Sequence, residues 1–217
     1  MAESTAGRRY SFFVWLALFL SQIVLLISLF VGEILDSAIN SEVSMMDAVY
    51  GQEKTTDYLD IANNITTKYV IDTGALEFTR KLFLPKAYIN NDYEVDFEGR
   101  YDFFWEKVDE AIDNLVKTIN FSLIRVVSML AWLPLFILLL TGALVSGYLQ
   151  REIKKEGFEY SSPLRHGIAK KVLFSLPITL YIVLVLPIGV HPLLFPAIIV
   201  TVTMFAGWYI SNTIKRV

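Results

Sequence analysis

Residues 10–31 read YSFFVWLALFLSQIVLLISLFV, a stretch of 22 residues that contains no charged side chain and directly follows Arg8 and Arg9. An apolar helix of about 20 residues is long enough to cross the hydrocarbon core of a bilayer. A cleaved signal peptide is the rival interpretation, but its apolar region would have only about 7–15 residues. The stretch therefore predicts an uncleaved membrane anchor.

Three more apolar stretches follow in the second half of the chain, at residues 122–148, 172–189 and 193–211. The first of them contains a single charged residue, Arg125, and the other two contain none. With 54% hydrophobic residues, the chain is more apolar than a typical soluble domain. We predict an all-α membrane protein with about four transmembrane helices and a small, mainly helical extracytoplasmic domain between the first two.

Charge is distributed unevenly along the chain. Residues 33–121 contain 18 acidic and 8 basic side chains, a net charge of −10, whereas residues 149–171 contain 6 basic and 3 acidic ones, a net charge of +3. Lys and Arg concentrate in the cytoplasmic loops of membrane proteins. We therefore expect the N-terminal tail of segment 1–32, the basic loop and the C-terminal tail 212–217 on the cytoplasmic side, and the acidic domain on the other side.

The acidic domain is expected to be largely helical. Apolar residues recur at three- and four-residue intervals in 33–50 and in 101–120, the pattern of amphipathic helices. We expect each helix to continue the neighbouring span without interruption, and the two stalks to pack against each other. A further helix is expected at 54–68, with Thr55 or Thr56 as its N-terminal cap.

The remainder of this domain, residues 69–96, has a less regular pattern that contains several turn-forming residues. It predicts loops with short helices. Short strands near 69–71 and 93–97 are the alternative.

The chain carries no signature of catalysis. It has no cysteine, which excludes disulfides and thiolate metal sites, and it lacks a phosphate-binding glycine loop and the common hydrolase motifs. Its two histidines, His166 and His191, fall on opposite sides of the membrane in the expected topology. We expect neither an enzymatic activity nor a cofactor or metal site.

Arg125 lies at the outer end of the second predicted span. We expect its side chain to extend towards the lipid headgroups or to pair with an acidic residue such as Asp109 or Asp113. An ion pathway needs further ionisable groups at membrane depth, so a channel or transporter is the least supported function.

Small residues suited to close helix contact occur four apart in the second span. Gly142 and Ser146 form one track, and Ala143 and Gly147 form the next. These four residues predict a helix-packing surface, either within one chain or between the subunits of a homo-oligomer.

The basic loop, residues 149–171, reads LQREIKKEGFEYSSPLRHGIAKK. Its positive charge fits contact with anionic membrane lipids or with a cytoplasmic protein. Six basic residues offset by three acidic ones make a modest footprint for DNA, so direct nucleic-acid binding is not expected. The candidate contact residues are Arg151, Glu152, Lys154, Lys155, Ser161, Ser162, Arg165, His166, Lys170 and Lys171.

Part of this loop resembles a family of inner-membrane proteins encoded by integrating conjugative elements and conjugative plasmids. Arg151-Glu152, Ser161-Ser162, His166 and Lys170 carry the resemblance. It implies a non-enzymatic subunit of a conjugative type IV secretion apparatus in the bacterial inner membrane, associated with the coupling ATPase that delivers DNA. The alternative is a membrane sensor whose extracytoplasmic domain binds a ligand and moves the stalk helices.

Overall fold

A computed structural model describes residues 15–27, 29, 31–89, 100–157 and 162–213. All regular elements in this part of the chain are helices, which confirms the prediction of an all-α membrane protein. In chain order they are α1 (Trp15–Ile27), α2 (Gly32–Tyr50), α3 (Gln52–Thr66) with a π-helical turn (Thr67–Ile71), α4 (Ala75–Phe83), α5 (Lys86–Ile89), α6 (Arg100–Leu130), α7 (Leu133–Glu156), α8 (Pro163–Val185) and α9 (Leu194–Ser211).

Three helices, α7, α8 and α9, are long and apolar enough to cross a membrane, and a fourth span arises if α1 and α2 are counted as one bent span. The expectation of about four spans is confirmed. The two helices of the bent pair meet at 105°, so the prediction that residues 33–50 extend the first span as a straight stalk is wrong. Asn114 of α6 donates its amide to the carbonyl of Leu29 at 2.9 Å, and a Cβ on Gly32 would lie 2.9 Å from the same amide. The Asn114 side chain therefore occupies the space at the bend between α1 and α2.

The chain divides into two compact units. The first comprises Met1–Val127 and Ile182–His191, and the second comprises Ser128–Tyr181 and Pro192–Val217.

In the first unit, α2 and α6 run side by side in the same direction, which confirms that the two predicted stalk helices pack together. Asp36 of α2 forms an ion pair with Lys117 of α6 at 3.0 Å. One turn after Lys117, Phe121 of α6 packs against Leu35 and Ala38 of α2. Burial of such apolar surface stabilises the pair by about 25 cal/mol per Å².

Helix α3 covers the far end of this pair, where Ala62 packs against Met46 and Ile124. The prediction that Thr55 or Thr56 caps α3 is wrong, because both lie within the helix and their hydroxyls donate to the carbonyls of Gly51 and Gln52, four residues earlier. Helix α3 begins instead after Gly51, whose φ of 84° is accessible to glycine at little cost.

Residues 67–89 form short helices, as predicted. The alternative of a strand at 69–71 is wrong, because these residues continue α3 as a π-helical turn. The strand proposed at 93–97 lies outside the described residues. Arg80 of α4 binds Asp109 at 2.9 Å and Asp113 at 2.7 Å, and this fixes α4 on α6.

In the second unit, the predicted continuous helix from the domain into the second span is interrupted. Helix α6 ends at Leu130 and α7 begins at Leu133. Pro134 in the first turn of α7 has no N–H for the carbonyl of Leu130, so the hydrogen-bond ladder of α6 cannot continue into α7. Helix α8 begins at Pro163, so the second half of the predicted basic loop is helical.

Candidate functional site

The predicted basic loop consists mainly of two helix ends. Arg151, Glu152, Lys154 and Lys155 lie in the last turns of α7, and Arg165, His166, Lys170 and Lys171 lie in the first turns of α8. Ser162 stands directly before α8, whereas Ser161 lies outside the described residues.

The start of α8 follows from two adjacent residues. Ser162 accepts a hydrogen bond on its hydroxyl from the backbone N–H of Arg165 at 3.4 Å, the geometry of an N-terminal cap. Pro163 occupies the first helical position, where its missing N–H costs nothing. Because Ser162 and Pro163 start α8, the basic side chains that follow them lie on a helix rather than in a loop.

A buried amide joins the two helix ends to the end of α9. Asn212, which is 2% exposed, accepts on its Oδ1 from Lys154 Nζ and from the Ser162 N–H, both at 3.2 Å. Its Nδ2 donates to the carbonyl of Trp208 at 2.9 Å. No periodicity or motif in the sequence points to Asn212, and Lys154 contributes to this junction.

His166 is also used within the fold. Its ring stacks on Tyr209 with 4.7 Å between ring centroids, and its Nδ1 is buried without a hydrogen-bond partner among the residues that the structure describes. The ring therefore packs α8 against α9.

Several of the other basic side chains at the two helix ends are exposed to the surroundings. Arg165 and Lys170 are exposed, and Lys170 lies over the ring of Phe174 at 5.9 Å. Lys155 is exposed and paired with Glu152 one turn away. Exposed pairs of this kind contribute little to stability, so these cations are available for an anionic partner.

Of the two small-residue tracks in α7, one is used for packing inside the chain. A Cβ on Gly147 would lie 2.7 Å from the carbonyl oxygen of Gly207 in α9, and one on Gly207 would lie 3.2 Å from the carbonyl oxygen of Ala143. The backbones of α7 and α9 thus approach closely along the Ala143–Gly147 track. Gly142 and Ser146 lie on the exposed side of α7.

The first unit contains a buried ion pair whose acidic partner the sequence did not identify. Arg125 is fully buried and Glu42 is 2% exposed. The guanidinium Nη2 and Nε donate to the Glu42 carboxylate at 2.7 and 3.0 Å, and its carbon lies 4.0 Å from the centre of the Phe121 ring. The expectation that Arg125 pairs with an acidic residue is therefore confirmed, but the partner is Glu42 rather than Asp109 or Asp113, and the side chain does not reach the headgroups.

Arg125 also completes the hydrogen bonding of the chain segment that ends α8. Its Nη1 donates to the carbonyls of Val183 and Leu186, both at 2.7 Å. The last carbonyls of a helix lack partners within it, and Pro187 has no N–H for the carbonyl of Val183. A planar guanidinium with five donors can meet such a set of acceptors.

Glu42 receives a further bond from the same segment, the backbone N–H of Val190 at 2.8 Å. Nearby, a Cβ on Gly189 would lie 3.0 Å from Ser41 Oγ. The pair therefore fastens residues 182–191 to α2 and α6.

The model of a family described as "IncC plasmid conjugative DNA transfer protein DtrJ-like" matches residues 33–216. The chain belongs to the DtrJ-like family. No curated protein and no solved structure matches the chain.

Membership of the DtrJ-like family confirms the resemblance to conjugation proteins and gives the chain a role in conjugative DNA transfer. The DtrJ-like match extends beyond the basic helix ends. It includes the acidic domain, the buried Arg125–Glu42 pair and the α7–α9 packing surface.

Proposed function

We propose that the protein is a non-enzymatic inner-membrane subunit of a conjugative type IV secretion apparatus, and that it binds the coupling ATPase through the ends of α7 and α8. One observation carries the proposal. The structure separates the basic side chains into Lys154, which holds Asn212, and Lys155, Arg165 and Lys170, which are exposed. Exposed cations on a helix end steer and orient an acidic partner.

The charge distribution supports a cytoplasmic location for this surface. Lys and Arg near span ends favour the cytoplasmic side, and the basic residues lie at the joined ends of two membrane helices. The acidic residues 33–121 precede α7 in the chain, so one crossing puts them in the periplasm. Both termini are then cytoplasmic.

The test is affinity purification of the tagged protein from donor-cell membranes, followed by mass spectrometry. One variant carries Arg165→Glu, Lys170→Glu and Lys171→Glu. The control carries Lys54→Glu and Lys68→Glu, which reverse two exposed lysines of the acidic domain.

We expect the native protein and the control to recover the coupling ATPase, and the α8 variant to lose it while remaining in the membrane. Equal recovery by both variants would contradict the assigned surface. Recovery of the tagged protein alone from native membranes would contradict the proposal that the coupling ATPase is its partner.

A membrane sensor is a second candidate function, and the Arg125–Glu42 pair favours it. Residues 182–191 are fastened to α2 and α6, so a displacement of either helix would be transmitted to the segment joining α8 and α9. A ligand that changes crosslinking between Ser41→Cys and Gly189→Cys would support this function. Unchanged crosslinking with periplasmic extracts present would count against it.

A further inference from the structure

Helix α4 has an apolar face that is exposed in the first unit. Ala75, Phe78 and Leu82 recur at intervals of three and four residues, and Phe78 and Leu82 are 68% and 65% exposed. The opposite face is anchored through Arg80, which binds α6. Helix α4 thus has one side fixed to the domain and an unpartnered apolar side.

Contacts within the first unit place α4 and α5 beside the end of α1. Arg80 binds Asp113, and the next residue of α6, Asn114, binds the carbonyl of Leu29, two residues after the end of α1. Tyr88 of α5 lines a cavity of about 430 Å³ together with Glu33 and Asn114. Helix α4 is therefore close to the point where the chain leaves its first apolar helix.

The bend between α1 and α2 sets the direction of this part of the domain. Because the two helices of this bent span meet at 105°, α2 runs nearly along the membrane plane where α1 runs across the membrane. Helix α6 is packed beside α2, and α4 is fixed on α6. The first unit consequently has a side that faces the lipid surface at short range.

Charge around α4 differs from that of the surrounding domain. Residues 67–89 carry four basic and two acidic side chains, a net charge of +2, within a segment whose net charge is −10. Lys81, adjacent to the apolar face, and Lys86 are exposed. An amphipathic helix with aromatic or leucine side chains on one face and lysines beside it is typical of helices that lie in the membrane interface.

We propose that α4 lies on the surface of the membrane that α1 enters, with Phe78 and Leu82 inserted at the boundary between headgroups and acyl chains. Lys81 and Lys86 then face the phosphates of anionic phospholipids. The apolar face of α4 is thus covered by the surface of the same lipid bilayer that surrounds α1.

Lipid-resident quenchers test this proposal on the full chain. Because the sequence has no cysteine, Leu82→Cys provides a unique site for a fluorescent label in nanodiscs that contain brominated phosphatidylcholine and phosphatidylglycerol. Leu138→Cys, exposed on the membrane helix α7, is the quenched reference. Asp57→Cys, exposed on α3, is the unquenched reference.

We expect the label at position 82 to show at least half of the quenching at position 138, and the label at position 57 to show almost none. Replacing phosphatidylglycerol by phosphatidylcholine should lower quenching at position 82 alone. Equal quenching at positions 82 and 57 would overturn the proposal. If the label at position 82 is unquenched in nanodiscs but position 82 is protected from labelling in native membranes, the apolar face of α4 binds a protein partner. This result would also overturn the proposal.

Discussion

Replacing Arg125 with methionine should destabilise the protein severely, because it leaves the buried Glu42 carboxylate without its cation. Only the Val190 N–H would remain among the described donors to that carboxylate, and the carbonyls of Val183 and Leu186 would lose their donor. Removing one partner of a buried ion pair costs about 3–5 kcal/mol. For a chain of this size, 1 kcal/mol corresponds to about 2–4 °C in Tm, so we expect Tm to fall by about 6–20 °C.

The matched control joins the same two helices at the surface. Lys117 and Asp36 are 47% and 53% exposed, and such pairs contribute about 0–1 kcal/mol, so Lys117→Met should lower Tm by less than about 4 °C.

Both unfolding transitions are measured by tryptophan fluorescence in the same detergent. A double variant, Arg125→Met with Glu42→Gln, should be less destabilised than the sum of the single variants, since it removes the unpaired charge. Similar small shifts for Arg125→Met and Lys117→Met would refute the reasoning.

Two further substitutions test the second unit. Gly147→Leu should destabilise the packing of α7 on α9 by about 1–3 kcal/mol, because its Cβ would meet the backbone of Gly207. Gly142→Leu is the control, because a side chain at position 142 would meet open space. Both variants are compared with the native protein by thermal unfolding. Asn212→Ala should cost about 1–3 kcal/mol by leaving the Ser162 N–H without an acceptor, and hydrogen exchange at the start of α8 should rise. Unchanged exchange there would contradict the role of Asn212.

The spans were predictable because their signal is local. Long uncharged stretches identify membrane helices directly, and the ends of α9 agree closely with the predicted span. The break before α7 also had a local signal, Pro134, within the predicted second span. The bend after α1 had only Gly32 as a local signal, and the residue that binds there, Asn114, is 85 positions away from Leu29.

The pairing of Arg125 with Glu42 could not be predicted from the sequence for the same reason, the long separation of the two residues along the chain. The two residues are 83 positions apart, and several acidic residues lie nearer to Arg125 in the sequence. Likewise, the spacing of small residues identified both tracks of α7 but contained no information on which one α9 covers. Position in the fold also decided that Lys154 is structural while Lys170 is exposed.

The central claim is that the exposed basic side chains at the start of α8 are needed for conjugative DNA transfer. The most direct test is the mating frequency of donors that lack the native gene and express Arg165→Glu, Lys170→Glu and Lys171→Glu at the native level in the membrane. We predict that the native protein and the Lys54→Glu, Lys68→Glu control restore transfer and that the α8 variant does not. Full restoration of transfer by the α8 variant would contradict it.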